Sequence, residues 1–269
     1  MRGLSRTALA EVEERFNTAA AAADLGALAE ELFAVADLFD REHGLRRGLS
    51  DASRPAGQKE SVLRSLLQGK VGDATLEIAV AAVGARWSRA GDLPDALERV
   101  GVMSAAAEAE SERRLDDVED ELFRFGRILA ANPQLRRALS DPAIPAERKS
   151  GLLVTLLGGK AAPSTVRLVT QAVVHPRGRS LETALEEFGW IVARSRERLV
   201  GVVRSAVPLT QQQKQRLAAW LRATYGRDVH LNVEVDPKVL GGFSVRVGDD
   251  YIDTTIAGRI EEVRRRLAG

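Results

Sequence analysis

Apolar residues recur every three or four positions through most of the first two hundred residues. After residue 23 one such stripe consists of Leu28, Leu32, Val35 and Phe39, which is the spacing of one face of an amphipathic α-helix. Similar stripes predict further helices over about 6–23, 73–88, 93–112, 163–175 and from 181 onwards. Since the turns between them are short, the pattern predicts antiparallel helical bundles.

The helical pattern occurs twice, at an offset of 90 residues. The clearest matches are Glu31-Leu32-Phe33 with Glu121-Leu122-Phe123, and Leu66-Leu67-x-Gly69-Lys70 with Leu156-Leu157-x-Gly159-Lys160. No insertion is needed to keep the matches in register, whereas chance resemblance between helices would drift. We infer that one unit of about six helices has been duplicated, and that helix 93–112 is shared by the two copies or joins them.

The period changes to two near residue 200. Val229, Leu231, Val233 and Val235 alternate with polar residues, which is typical of a half-buried strand. The other predicted elements are a strand at 200–207, a helix opened by the capping box Thr210-x-x-Gln213 and burying Leu217, Trp220 and Leu221, strands at 243–247 and 251–252, and a last helix capped by Asp253 or Thr254.

The predicted fold is therefore mainly α, with two tandem helical bundles of about six helices each and a small C-terminal α/β domain. We place the extra N-terminal bundle at 1–92, the second bundle at 93–199 and the α/β domain at 200–269.

Composition excludes several classes of function. The chain has no Cys and a formal net charge of +1, so disulfides, thiolate metal sites and a Cys nucleophile are excluded, and no global field attracts nucleic acid. No apolar stretch is long enough to span a membrane, and the acidic N-terminal segment is unlike a signal peptide. We expect a soluble intracellular protein.

The residues that could carry chemistry are better explained structurally. His43, His175 and His230 are isolated, without metal-ligand spacing. Gly241-Gly242 leads into a strand rather than a helix, which indicates turn geometry and not a phosphate loop. We therefore expect no catalytic residues, no metal and no cofactor, which makes a binding function the better hypothesis.

Two charged segments leave alternatives open. The acidic stretch from Glu108 to Glu121 is either a solvated helix surface or a face for a basic partner. The loop His175-Pro176-Arg177-Gly178-Arg179 lacks the aromatics of a nucleic-acid site, and we interpret it as a solvated loop between helices.

The segment Val239–Asp253 followed by Gly258-Arg259-Ile260 resembles the C-terminal motif of the delta subunit of bacterial ATP synthase, the family of the oligomycin-sensitivity-conferring protein. The resemblance extends upstream to about residue 93. The family motif corresponds here to Gly241, Gly242, Arg246, Gly248, Asp249, Ile252, Asp253 and Arg259. We take these residues as architectural, forming turns and a cap.

The resemblance implies a non-catalytic subunit of the peripheral stalk of the proton-translocating ATP synthase. Such a subunit joins the catalytic head, through amphipathic N-terminal helices of the alpha subunits, to the end of the b subunit, and resists rotor torque. It implies no cofactor, no direct nucleic-acid contact, and a peripheral location at the cytoplasmic face of the cell membrane through the complex alone.

Carried onto this chain, the alpha-binding groove would lie between helices 93–112 and 163–175. Val166, Val169 and Val173 are the candidate groove residues, although they could equally belong to the core. Their counterparts in the first copy are Leu76, Ala79 and Val83, and that copy could keep a groove for a different or weaker partner, or serve as a spacer or brace. The alternative function is a stand-alone helical adaptor or regulator, one that binds RNA through the C-terminal domain.

Overall fold

The computed structural model describes residues 3–196, 198–225, 228–236, 239, 241–247 and 250–253. The chain divides into two compact units, Met1–Ser195 and Arg196–Gly269. The first unit is helical and the second contains a sheet, so the predicted mainly α fold is confirmed.

The helical unit contains both copies of the repeat. Each copy has six helices, and the helix in the middle belongs to both. Its helices are α1 Leu4–Ala19, α2 Leu25–Arg41, α3 His43–Ser50, α4 Ala56–Leu67, α5 Asp73–Gly84, α6 Asp92–Ser111, α7 Leu115–Ala131, α8 Pro133–Ser140, α9 Ala146–Leu157, α10 Pro163–Val174 and α11 Leu181–Arg196, with a short 3-10 turn at Ala20–Ala22 after α1. The repeat maps α1–α5 onto α6–α10, and α6 onto α11. The predicted apolar stripes are buried, and Gly69 and Gly159 end α4 and α9 with φ of 75° and 70°, the left-handed conformation expected of a C-terminal glycine.

Helix α6 is the centre of the helical unit. It packs against α1, α2, α5, α7 and α10 and is buried around nearly its whole circumference between Asp92 and Ala109. Because α6 is both the sixth helix of the first copy and the first helix of the second, one continuous core serves both copies. The boundary predicted at residue 92 coincides with the start of this shared helix and does not separate two independently packed bodies.

The contact between α2 and α6 depends on two glycines. A Cβ at Gly101 of α6 would lie 2.6 Å from the Phe33 ring, and a Cβ at Gly26 of α2 would collide with the Glu108 carboxylate. Ser104 Oγ donates to the carbonyl of Leu25 at 2.8 Å. Small residues thus allow the two helices to approach closely and leave room for the Phe33 ring against α6.

The repeated glutamate explains one of the sequence matches. Glu31 accepts hydrogen bonds from the backbone N–H of Gly72 and the hydroxyl of Thr75 at the start of α5. Glu121, 90 residues later, accepts from the N–H of Ala162 and the hydroxyl of Thr165 at the start of α10. In each copy a carboxylate from the second helix therefore caps the fifth, where it also complements the helix dipole.

We expect Glu31→Ala and Glu121→Ala each to lower the free energy of unfolding by about 1–2 kcal/mol, because each leaves N–H groups of the fifth helix without their acceptor. Urea unfolding followed by circular dichroism measures the change. Glu186→Ala, on the exposed side of α11, is the matched control. Equal stability of all three variants would show that these glutamates do not cap.

The C-terminal unit is built as β1 Arg198–Ser205, α12 Gln211–Tyr225, β2 Asp228–Val235, β3 Phe243–Val247 and β4 Asp250–Asp253. The sheet has the order β2-β1-β3-β4, with β1 parallel to β2 and antiparallel to β3, and β4 antiparallel to β3. Its core includes Val203, Leu221 and Val245, each fully buried. The predicted strands are thus confirmed, while the predicted last helix lies outside the described residues.

The predicted capping box is present at the start of α12. The N–H of Thr210 donates to Gln213 Oε1 at 2.8 Å, and the N–H of Gln213 donates to Thr210 Oγ1 at 3.3 Å. Leu217 and Leu221 are buried as predicted, but Trp220 is 48% exposed. The prediction for Trp220 was wrong because the small sheet covers a narrower stripe of α12 than the apolar residues of this helix suggest.

Candidate functional site: a groove between the two copies

A groove of about 750 Å³ runs between α2 of the first copy and α10 of the second. Along α2 it is lined at positions three or four residues apart, from Glu30 to Arg41, and along α10 from Pro163 to His175. Phe33, Ala34, Val166 and Val174 form its apolar part. This spacing presents one face of each helix to the groove.

Charged residues join α2, α6 and α10 at the first end of the groove. Arg167 of α10 pairs with Glu30 of α2 at 3.1 Å and with Glu108 of α6 at 2.5 Å. Ser164 Oγ also donates to Glu108 at 2.7 Å. Since Glu108 and the Arg167 side chain are largely buried, these bonds fix the position of α10 relative to both partners.

A second charged cluster lies eight residues further along α10. The Asp37 carboxylate pairs with Arg41 and lies 2.6 Å from His175 Nδ1. Burial, together with the nearby guanidinium of Arg41, lowers the pKa of His175. His175 Nδ1 lies within hydrogen-bonding distance of Asp37, and this pair connects α10 to α2.

The loop after α10 fastens that helix to α6. Arg177 Nη2 donates to Asp95 at 2.6 Å and Nη1 to the carbonyl of Pro94 at 2.8 Å, while Arg179 Nη2 donates to Glu98 at 2.6 Å. The Arg177 side chain is 6% exposed. The interpretation of this loop as solvated was therefore wrong, because carboxylates on an otherwise buried helix draw both guanidinium groups inward.

The predicted groove residues separate into two groups. Val169 and Val173 are buried in the core, whereas Val166 is half-buried and lines the groove. Leu76, Ala79 and Val83 of the first copy are core residues too. For all of these except Val166, the core alternative describes the structure.

The predicted groove between helices 93–112 and 163–175 stays a prediction, because the groove between α2 and α10 has a different second wall. Helix α6 lines no part of the groove described here, because neighbouring helices enclose it. The wall opposite α10 is α2, so the first copy completes the groove of the second. The sequence carried a signal of this in residues 100–107, which are all apolar or small and indicate a helix buried on all sides.

The C-terminal motif residues lie in turns and strands where they are described. Gly241 and Gly242 have φ of 66° and 76°, which requires glycine or costs strain. Arg246 is exposed on β3, and Ile252 of β4 is half-buried opposite Val245. Asp253 ends β4, while Gly248, Asp249 and Arg259 lie outside the described residues.

Within the described part of the chain, no cluster of three or more His, Asp or Glu side chains could hold a metal ion. In the same residues no helix is both long and apolar enough to cross a bilayer.

Comparisons with known proteins agree with the sequence resemblance. The profile of the family "ATP synthase delta (OSCP) subunit" matches residues 101–267. "ATP synthase subunit delta" of Thermobifida fusca is 50% identical over 269 residues, covering 100% of both chains. The protein of the same name from Streptomyces griseus is 48% identical, again over 100% of both chains, and that from Streptomyces coelicolor is 47% identical, over 100% of this chain and 98% of the relative.

Among solved structures, a chain of the Toxoplasma gondii mitochondrial ATP synthase hexamer is 22% identical, over 62% of this chain and 96% of that chain, with a TM-score of 0.27. That similarity is too low to bear on the geometry of the groove. The family profile and the full-length relatives are sufficient: the chain belongs to the ATP synthase delta (OSCP) subunit family and is a non-catalytic subunit of the peripheral stalk of that complex.

Proposed function

We propose that the groove between α2 and α10 binds the amphipathic N-terminal helix of an alpha subunit, and that the C-terminal unit binds the end of the b subunit. The chain then joins the catalytic head to the stalk and holds the head against rotor torque. This occurs at the cytoplasmic face of the membrane, where the chain is held through the complex.

The shape and polarity of the groove support the first part of the proposal. Its apolar part lies between two charged clusters, the one around Arg167 and the one around Asp37. An amphipathic helix docks in such a groove through apolar anchors at i, i+3, i+4 and i+7. The stretch from Pro163 to His175 corresponds to roughly 18 Å of helix, enough for about three turns of a bound helix.

The groove supports this function because holding a partner helix requires no catalytic group. A stator contact must hold under load, and apolar anchors buried in a groove can supply most of the binding energy. The alternative of an RNA-binding regulator has no support in the full-length relatives, which are named as ATP synthase subunits.

We expect Ala34→Trp to weaken binding of a peptide with the sequence of the source organism's alpha-subunit N-terminus by at least about tenfold, because the indole fills the groove. Ala34 is exposed and lines the groove, so the protein should still fold. Isothermal titration calorimetry with the full-length chain measures the affinity.

Two controls make the result specific. Ala130→Trp places the same side chain on an exposed position of α7 and should leave the affinity unchanged. Binding of a peptide from the C-terminal end of the b subunit should be unaffected by Ala34→Trp, because that peptide is assigned to the other unit. A folded wild-type chain that binds the alpha peptide with the same affinity as Ala34→Trp would refute the groove assignment.

A further inference from the structure

The duplication allows each position of the first copy to be compared with its counterpart in the second. In the last helix of each copy the offset is 88 residues, because Ala96-Leu97-Glu98 and Gly101 match Ala184-Leu185-Glu186 and Gly189. Phe33 and Val102 are 5% and 0% exposed. Their counterparts, Phe123 on α7 and Trp190 on α11, are 65% and 53% exposed. The face that the first copy buries against the second is therefore open on the second. We call the exposed face carrying Phe123, Arg127, Trp190 and Arg194 the terminal face.

Phe123 does not take the position on α11 that Phe33 takes on α6. The Phe33 ring rests on Gly101, whereas a Cβ at the matching Gly189 of α11 would meet nothing within 4 Å among the described residues. Phe123 is 65% exposed instead.

The charges on the terminal face also differ from those of its counterpart. Asp37, which binds His175 of α10, corresponds to Arg127, which is exposed and forms no ion pair within the part of the chain that the structure describes. Arg194 lies 5.1 Å from the centre of the Trp190 ring and Arg99 lies 5.4 Å from it. Two exposed aromatic rings are thus accompanied by guanidinium groups, a combination that complements apolar side chains next to carboxylates.

The first copy also shows how a helix would lie on this face. Glu30 of α2 contacts Arg167 of α10. Asp37, seven residues further along α2, contacts His175, which lies eight residues after Arg167. Helix α10 therefore runs alongside α2 in the same direction. A helix placed in this way on α7 would pass Asp120, whose carboxylate is paired with Arg124 at 2.6 Å, then Phe123, and would reach Arg127 about one turn later.

We propose that the terminal face binds an acidic amphipathic helix from another subunit of the ATP synthase, in the place that α10 takes on α2. Its apolar side covers Phe123 and Trp190, and its carboxylates pair with Arg127 and Arg194. The helix runs in the same direction as α7. The proposal rests on membership in the complex and not on the assignment of the alpha-subunit groove.

The absence of Cys allows the test to be made with single introduced thiols. We would prepare full-length Phe123→Cys and Trp190→Cys, with Val154→Cys as the control, since Val154 is 59% exposed on α9 and away from this face. Each variant is reassembled with ATP synthase of the source organism from which this subunit has been removed. The rate of reaction with a maleimide is measured in the free chain and in the complex.

We expect the maleimide rate at positions 123 and 190 to fall at least about tenfold on assembly, while the rate at 154 remains unchanged. Unchanged rates at 123 and 190 in a correctly assembled complex would overturn the proposal. Slow labelling of these two thiols already in the free chain would also overturn it, because it would show that the chain covers its own terminal face.

The same samples separate this proposal from the proposed function. A wild-type chain that fails to enter the complex contradicts the stalk function itself, whereas a variant that enters with a reactive thiol at 123 contradicts the terminal face alone. Phe123→Asp combined with Trp190→Asp should weaken assembly, and this double variant should still bind the alpha-subunit peptide with the wild-type affinity.

Discussion

Replacing Phe33 with alanine is expected to lower the free energy of unfolding by about 3–5 kcal/mol, the range typical of a buried phenylalanine. Phe33 is 5% exposed and its ring rests on Gly101, so its removal leaves a cavity between α2 and α6. These helices form the junction of the two copies, and the cavity cannot close without moving the central helix of the unit.

The duplication supplies the control for this experiment. Phe123→Ala removes the same side chain from the same repeat position, but the ring is 65% exposed, and we expect a change within about 0.5 kcal/mol. Urea unfolding followed by circular dichroism compares the two variants with the wild-type chain. Similar losses for Phe33→Ala and Phe123→Ala would mean that α7 is covered within the free chain and that the two copies are packed alike.

The sequence predicted local structure well because local structure depends on spacing. The stripe Leu28, Leu32, Val35 and Phe39 is buried as predicted, and the capping box at Thr210 was recognisable from two residues. Each of these features involves residues close together in the chain, whose contacts follow from helix geometry alone.

The groove was harder to predict because it depends on contacts between the copies. An apolar stripe on helix 163–174 is the same whether it faces a core or a partner, so Val169 and Val173 could not be separated from Val166 by spacing. The role of Glu31 and Glu121 was missed although both copies carry them at the same position. Their identity at a place outside the apolar stripe was the available signal, but the capped N–H groups lie more than forty residues away.

The contacts of the two arginines after α10 were hard to predict for the same reason, because their partners are distant in the chain. A short basic segment between helices is most often solvated, and nothing local distinguishes Arg177 and Arg179 from such a case. Their partners, Asp95 and Glu98, lie more than eighty residues earlier. Glu98 is buried on α6, and a buried charge indicates that a partner is required.

Arg179→Ala is expected to destabilise the helical unit by about 3 kcal/mol at neutral pH, because it leaves the Glu98 carboxylate buried without its guanidinium partner. Glu98 is 3% exposed, and its other hydrogen bond, from Gln171, is long at 3.4 Å. Glu98→Gln in the Arg179→Ala background should recover most of the loss, because the amide carries no charge that burial would penalise.

The loss should depend on pH in a defined direction. Burial raises the pKa of Glu98 even though Arg177 and Arg179 oppose the shift, so the folded state keeps the proton at pH values where the unfolded state has released it. The stability contributed by this group is therefore full below its unfolded pKa and falls as the pH rises through the folded pKa. Removing Arg179 raises the pKa of Glu98 in the folded state further, which widens the pH range over which the stability falls.

Urea unfolding at several pH values should accordingly show a small difference between wild type and Arg179→Ala near pH 4.5, the ordinary pKa of a glutamate, and a larger difference at neutral pH. In the Glu98→Gln background the difference in unfolding free energy caused by Arg179→Ala should no longer change with pH. A loss that is equal at all pH values, or that Glu98→Gln does not reduce, would mean that Arg179 acts through packing on Phe188, whose ring lies 5.7 Å from its guanidinium, and not through the buried charge.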